Sequence, residues 1–188
     1  MADLPIVSND GAEQVQVWSG NPIAQGYAFA SSVTFAANPT DVVTLTGSAT
    51  KTIKVYSVRA SVFSSSSLTE QFVTALMGIR STADSGGTSS SGFGTALDSN
   101  NNASTGKITQ YTANPTLGTL VGYVTEVVMP VPSLAITSAN SPTNVVELVP
   151  TSLLQPITLR GTAQQLFINL SVTVTTGFLV YSVWWTEE

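Results

Sequence analysis

Apolar and polar residues alternate most strictly near the end of the chain. From Gln165 to Val174, Leu166, Ile168, Leu170, Val172 and Val174 fall on one face. Gln165, Asn169, Ser171 and Thr173 fall on the other, with Phe167 among them. A period of two predicts a half-buried antiparallel strand. Thr175-Thr176-Gly177 turns the chain, and Phe178–Thr186 returns with both faces apolar. Trp184 and Trp185 then point to opposite faces, so one of them needs cover from outside its own sheet.

The same short-period signal recurs upstream, in runs of Val, Ile, Thr, Tyr and Phe without any long 3.6-residue period. It predicts strands at Gln14–Trp18, Tyr27–Phe35, Val42–Thr46 and Thr52–Phe63, the last two joined by a hairpin-like Gly47-Ser48-Ala49. Glu70–Arg80 fits helical spacing loosely, but a preceding Ser run and neighbouring strands favour a strand. Ser81 to Gly106 is almost wholly Ser, Thr, Gly, Asn and Ala, with Phe93 and Leu97 its only large apolar residues. That composition offers too little burial to offset ordering entropy and predicts a long surface loop over 81–106. Lys107–Thr112, Thr119–Met129, Val145–Val149 and Pro156–Arg160 read as further strands. A Pro-rich passage, Pro130 to Pro142, is expected to cross between sheets. Residues 1–13, polar with Pro5, read as an N-terminal arm. Residues 14–188 then form one domain, and the fold class is all-β: a two-sheet antiparallel sandwich of the jelly-roll type.

Charge changes this picture. The chain has 188 residues, of which six are basic and eleven acidic, a 9% charged fraction against the usual ~25%. A subunit that buries much of its exterior in an assembly tolerates such a deficit, because charge is depleted at interface cores. The net charge of −5 and the dispersal of Lys51, Lys54, Arg59, Arg80, Lys107 and Arg160 argue against nucleic acid. The first ten residues lack a basic-then-apolar pattern, so synthesis in the host cytoplasm without a signal peptide is expected. The apolar stretch Phe178–Trp185 is too short to span a bilayer, so no membrane partner is expected.

Candidate chemistry is sparse. With no His and no Cys, the commonest proton shuttle and the thiolate nucleophiles and metal ligands are missing. Asp98-Ser-Asn100-Asn-Asn102 begins like a calcium loop, but Ala103 and Thr109 stand where Gly and Glu are required, so an Asx-rich turn is expected, with at best a weak ion site that Asp84 joins. Glu126 lies in an apolar strand where burial would raise its pKa, or else faces solvent or pairs with Arg59 or Arg160. Spacing sets no second acid beside it for glycoside hydrolysis. Arg160 is expected to be internal, bonded to carbonyls or to Glu147. No Ser lies in a Gly-x-Ser-x-Gly elbow, and no Lys follows the Gly-rich stretches as in a phosphate loop. The expectation is no enzyme, no metal and no cofactor. What remains is surface: Trp18, Trp184, Trp185, Tyr111, Tyr123 and Tyr181 are candidate anchors or core fillers.

Several stretches resemble the small virion structural proteins of tailed bacteriophages and prophages. They are Val43-Thr-Leu-Thr-Gly-Ser-Ala-Thr-Lys51, Arg80-Ser-Thr-Ala-Asp-Ser-Gly-Gly-Thr88, Asp98-Ser-Asn-Asn101, Tyr111-Thr-Ala-Asn-Pro-Thr-Leu-Gly118 and the tail from Leu159-Arg-Gly-Thr-Ala163 through Trp185-Thr-Glu-Glu188. The similarity spans roughly Thr40 to Glu188. Ala96-Leu97 stand where the family pattern carries a Pro-His pair, which weakens any metal or catalytic role for that loop. The resemblance implies a non-enzymatic component of the virion. A capsid decoration or cement protein fits the size, the sandwich and the low charge. Its partners would be the major capsid protein and copies of itself, a homo-oligomer with a trimer favoured. The expected contacts are the arm residues Leu4, Pro5 and Ile6, which can add a strand to a neighbour, and Trp18, Trp184 and Trp185. The alternative is a tail or fibre module that binds a receptor or glycan, against which the lack of heptads or shaft repeats counts.

Overall fold

The computed structural model describes residues 24–34, 40–64, 71–131, 145–149, 155–171 and 177–188. The N-terminal arm (1–13) with Leu4, Pro5 and Ile6, the expected strand at Gln14–Trp18 and its Trp18 lie outside these residues. The described chain is all β. Its strands are β1 (Gln25–Thr34), β2 (Thr40–Thr46), β3 (Thr52–Ser64), β4 (Gln71–Arg80), β5 (Ser89–Phe93) and β6 (Thr95–Ala96), followed by β7 (Lys107–Tyr111), β8 (Leu120–Val131), β9 (Val146–Val149), β10 (Ile157–Arg160), β11 (Gln165–Leu170) and β12 (Gly177–Glu187).

Two antiparallel sheets stack as a sandwich. Sheet A runs β10-β3-β12-β1-β6, with β9 also paired to β3; sheet B runs β5-β7-β2-β11-β4-β8. Inward-facing Val, Leu, Ile and Met of both sheets make one core, among them Leu45, Met77, Ile108 and Leu179. Trp185 stacks on Tyr27 across the β1–β12 pair, with ring centroids 6.1 Å apart. A Cβ on Gly94 would stand 2.5 Å from the Trp185 ring, so the backbone that closes over this indole must be glycine there.

Several expectations need correction. The turn Gly47-Ser48-Ala49 is not a hairpin, because β2 lies in sheet B and β3 in sheet A. Ser48 Oγ accepts from the Thr50 and Lys51 amides, and Gly47 N–H donates to the Gln164 carbonyl, so the turn carries the chain across the sandwich. The same holds for β11 and β12, which sit in opposite sheets. Their burial is also the reverse of that expected. β12 is the strand that alternates, with Leu179, Tyr181, Val183 and Trp185 inside and Val180 and Trp184 outside. β11 is buried on both faces, since Gln165 and Phe167 on its polar side are covered as well. Segment 81–106 is mostly exposed but not structureless, for β5 extends sheet B and β6 extends sheet A. Arg160 is exposed, and Glu147 pairs instead with Arg59 at 2.8 Å.

The Pro-rich passage does connect strands of different sheets, β8 and β9. β4 is a strand, as its context suggested.

Candidate functional site

β8 carries a row of exposed apolar side chains, Leu120, Val121, Tyr123, Val124 and Val128, and its register shows why. Val73, Ala75 and Met77 of β4 point into the core, so Phe72, Thr74, Leu76 and Gly78 point outward, opposite Pro130, Val128, Glu126 and Tyr123 of β8. Phe72 is 65% exposed, Val128 57% and Tyr123 59%, and the irregular β8 positions Val121 and Val124 add to the same area. Among the described residues β8 is paired on its β4 side only. Within this set its other edge presents backbone donors and acceptors beside a side-chain row whose one charge is Glu126.

The rest of this outer face is closed by a buried ion cluster. Arg80, at the end of β4, lays its guanidinium over the Phe167 ring, 4.4 Å from the centroid. Phe167 is wedged over Gly78 and meets the edge of Tyr123 at a centroid distance of 6.1 Å. Beyond the ring the guanidinium reaches β2, where Nε and Nη2 donate to Asp41 Oδ2 and Oδ1 at 2.7 and 3.0 Å. Asn169 Nδ2 donates to the same Oδ1 at 2.8 Å. Arg80 Nη1 donates to the Gly118 carbonyl, and Nε also stands 3.3 Å from Asp84 Oδ1. The Asp41 and Asp84 side chains are fully buried.

Asp84 belongs to a two-armed flap, residues 81–88 and 112–119, held together by a two-way backbone bridge between Ser85 and Thr116. The flap is tied to β11 where Asp84 N–H donates to Gln165 Oε1, and its two arms are joined where Gly118 N–H donates to Asp84 Oδ1, both at 2.8 Å. Gly118 passes so close to the Thr82 carbonyl that any Cβ there would collide with it. Burial raises the Asp84 carboxyl, and the negative Asp41 adds to the rise. The Gly118 amide and Arg80 pull the other way, leaving it at about 6.

A second buried acid anchors the other end of the Ser/Gly-rich segment. Glu187, on β12, accepts from Ser104 Oγ, from Thr105 N and Oγ1, from Gly106 N and from Trp185 Nε1, at 2.6 to 3.1 Å. Burial alone would raise Glu187, but these donors outweigh it and hold the carboxyl below its ordinary value.

Of the expected contact residues, Trp184 is half exposed on the outer face of sheet A, between Ala28 and Ser57. Trp185 is 1% exposed, so its place is in the core and not on a contact surface. Tyr111 and Tyr181 are core residues too, while Tyr123 is open. Glu126 faces solvent. Asp98 caps an Asx turn, its Oδ1 accepting from Asn100 N at 2.9 Å, and Asp84 lies with Arg80 instead of with it. Among the described residues no group of three or more acidic side chains stands close enough to hold a metal ion. The pairing of Asp41 with Asp84 was not foreseen. Phe167, the one apolar residue on the polar side of its strand, was the signal that this side is covered. Comparison with protein-family models, curated proteins and solved structures finds no match.

Proposed function

We propose that this protein is a non-enzymatic virion subunit, a capsid decoration or cement protein that docks on a phage head through the outer face of β4 and β8. The observation that carries this reading is the apolar area around Phe72, Tyr123 and Val128, continuous with the edge of β8 that is unpaired among the described residues. An apolar centre with a single acid is the composition of an interface core, and an edge without Lys is open to strand addition. The low charge of the whole chain and the resemblance noted above agree with it. Binding only the assembled shell would stabilise it by mass action.

The strand order supports a jelly roll. β1-β12-β3-β10 faces β2-β11-β4-β8, so each sheet interleaves early and late strands as two Greek keys do. β5, β6 and β7 are then an insertion that widens both sheets at one side. A homo-oligomer, a trimer in the favoured form, presents several such faces at once and gains avidity on a repeating shell. The half-exposed Trp184 and a shallow depression of about 190 Å³ beside Arg59 and Val180 favour, as a second reading, a receptor or glycan module using sheet A.

The test is add-back. Purified chain mixed with heads from the particle its genome encodes is expected to co-sediment with them and to raise their disruption temperature. Val128→Lys is expected to lose both effects while keeping the β-sheet circular dichroism. Binding to host cells without binding to any head form would overturn the reading in favour of the receptor module.

A further inference from the structure

We propose that Asp84 carries a proton beside Asp41 and Arg80, and that this proton latches the flap of residues 81–88 and 112–119 onto sheet B. One guanidinium faces two buried carboxyl groups. Asp41 takes the fork of Arg80 together with Asn169. Asp84 has the Gly118 amide and a 3.3 Å share of Arg80 Nε on Oδ1, and its buried Oδ2 has no donor among the described residues. Asp41 Oδ2 and Asp84 Oδ1 both stand on Arg80 Nε, at 2.7 and 3.3 Å, so the two buried carboxyl groups converge on one N–H. One guanidinium cannot neutralise two buried carboxylates, so the cluster is neutral when Asp84 keeps its proton. The other groups facing the cluster do not relieve this. Tyr111 of β7 is a neutral phenol whose burial raises its pKa further, Tyr123 of β8 is also a phenol, and β11 contributes the amides Gln165 and Asn169.

When the proton leaves, the cluster holds a net negative charge under the flap, and lifting the flap is what lets water reach it. The tie of the flap to β11, from Asp84 N–H to Gln165 Oε1, loosens as the flap lifts. Arg80 of the same cluster lies over Phe167, whose ring meets Tyr123, so the latch borders the proposed docking face. The sign is set by the raised carboxyl: Asp84 favours the closed flap below its ordinary value of 3.8, and that contribution is lost as the pH rises through about 6. The inference concerns the chain alone and stands whatever its partner.

NMR on the full, isotope-labelled chain tests it. The Asp84 carboxyl carbon is expected to titrate near 6, with the Gly118 amide moving in the same transition. Hydrogen-exchange protection of Ser85, Thr116 and Gly118, taken relative to core amides such as Ile168, is expected to fall about tenfold between pH 5 and pH 7. Asp84→Asn is expected to keep the flap protected across that range. Asp41→Asn is expected to lower the Asp84 midpoint by roughly one pH unit or more, because Arg80 then serves one carboxyl group. An Asp84 midpoint at the ordinary carboxylate value, or flap protection that does not follow the titration, would overturn the proposal.

Discussion

Replacing Arg80 by Met removes the cation from a site where two carboxyl groups stay buried. The methionine fills much of the space of the stem over Phe167, so the change tests charge more than volume. What is lost is the two-pronged bond to Asp41, the bond to the Gly118 carbonyl and the cation over the ring. Breaking a buried pair by removing one partner costs about 3–5 kcal/mol, chiefly because the other charge is left uncompensated. With a urea slope near 2 kcal/mol/M, the unfolding midpoint should fall by about 2 M. Urea titrations followed by far-ultraviolet circular dichroism at neutral pH measure this directly. Arg59→Met is the control, because Arg59 and Glu147 are 47% and 40% exposed and such a pair is worth about 1 kcal/mol or less. The Arg80 loss should also shrink below about pH 4, where carboxyl groups take up protons. An Arg80→Met protein no less stable than Arg59→Met, with the same deficit in acid, would refute the reasoning.

Other consequences follow from the same contacts. Trp185→Ala should cost about 3–5 kcal/mol in urea and abolish the near-ultraviolet signal of the stacked indole, whereas Trp184→Ala should leave stability within about 0.5 kcal/mol. Glu187→Gln should cost about 1.5–3 kcal/mol, since an amide cannot accept all the donors of Ser104, Thr105 and Gly106. The depressed Glu187 carboxyl stabilises the fold above its ordinary value. Acid titration of the wild type should therefore show a stability loss as pH falls through the lower folded value, and Glu187→Gln should lack it.

Local pattern made the strands legible, and topology was not. Alternation places Leu166 and Ile168 inside without saying what lies over Gln165 and Phe167. That depends on Arg80, which closes onto Asp41 across 39 positions of sequence, and on Asn169, which closes onto it across 128. The tandem tryptophans had to face opposite ways, but only the position of β12 between β3 and β1 decides that Trp185 is the inner one. The segment 81–106 reads as a loop because it has little to bury. It is held instead by two acids, Asp84 within it and Glu187 beyond it, whose donors are backbone amides and hydroxyls that composition does not distinguish from solvated ones. The proposed docking face escaped notice because Val121, Tyr123, Val124 and Val128 look like core, yet they lie exposed on their strand.

The central claim is that the outer face of β4 and β8 meets a capsid. An electron cryomicroscopy map of heads saturated with the purified chain tests it most directly. The expected map places Phe72, Tyr123 and Val128 against the shell, with Trp184 of sheet A turned away from it. Density that seats sheet A on the shell, or heads that remain bare at saturating chain, would contradict it.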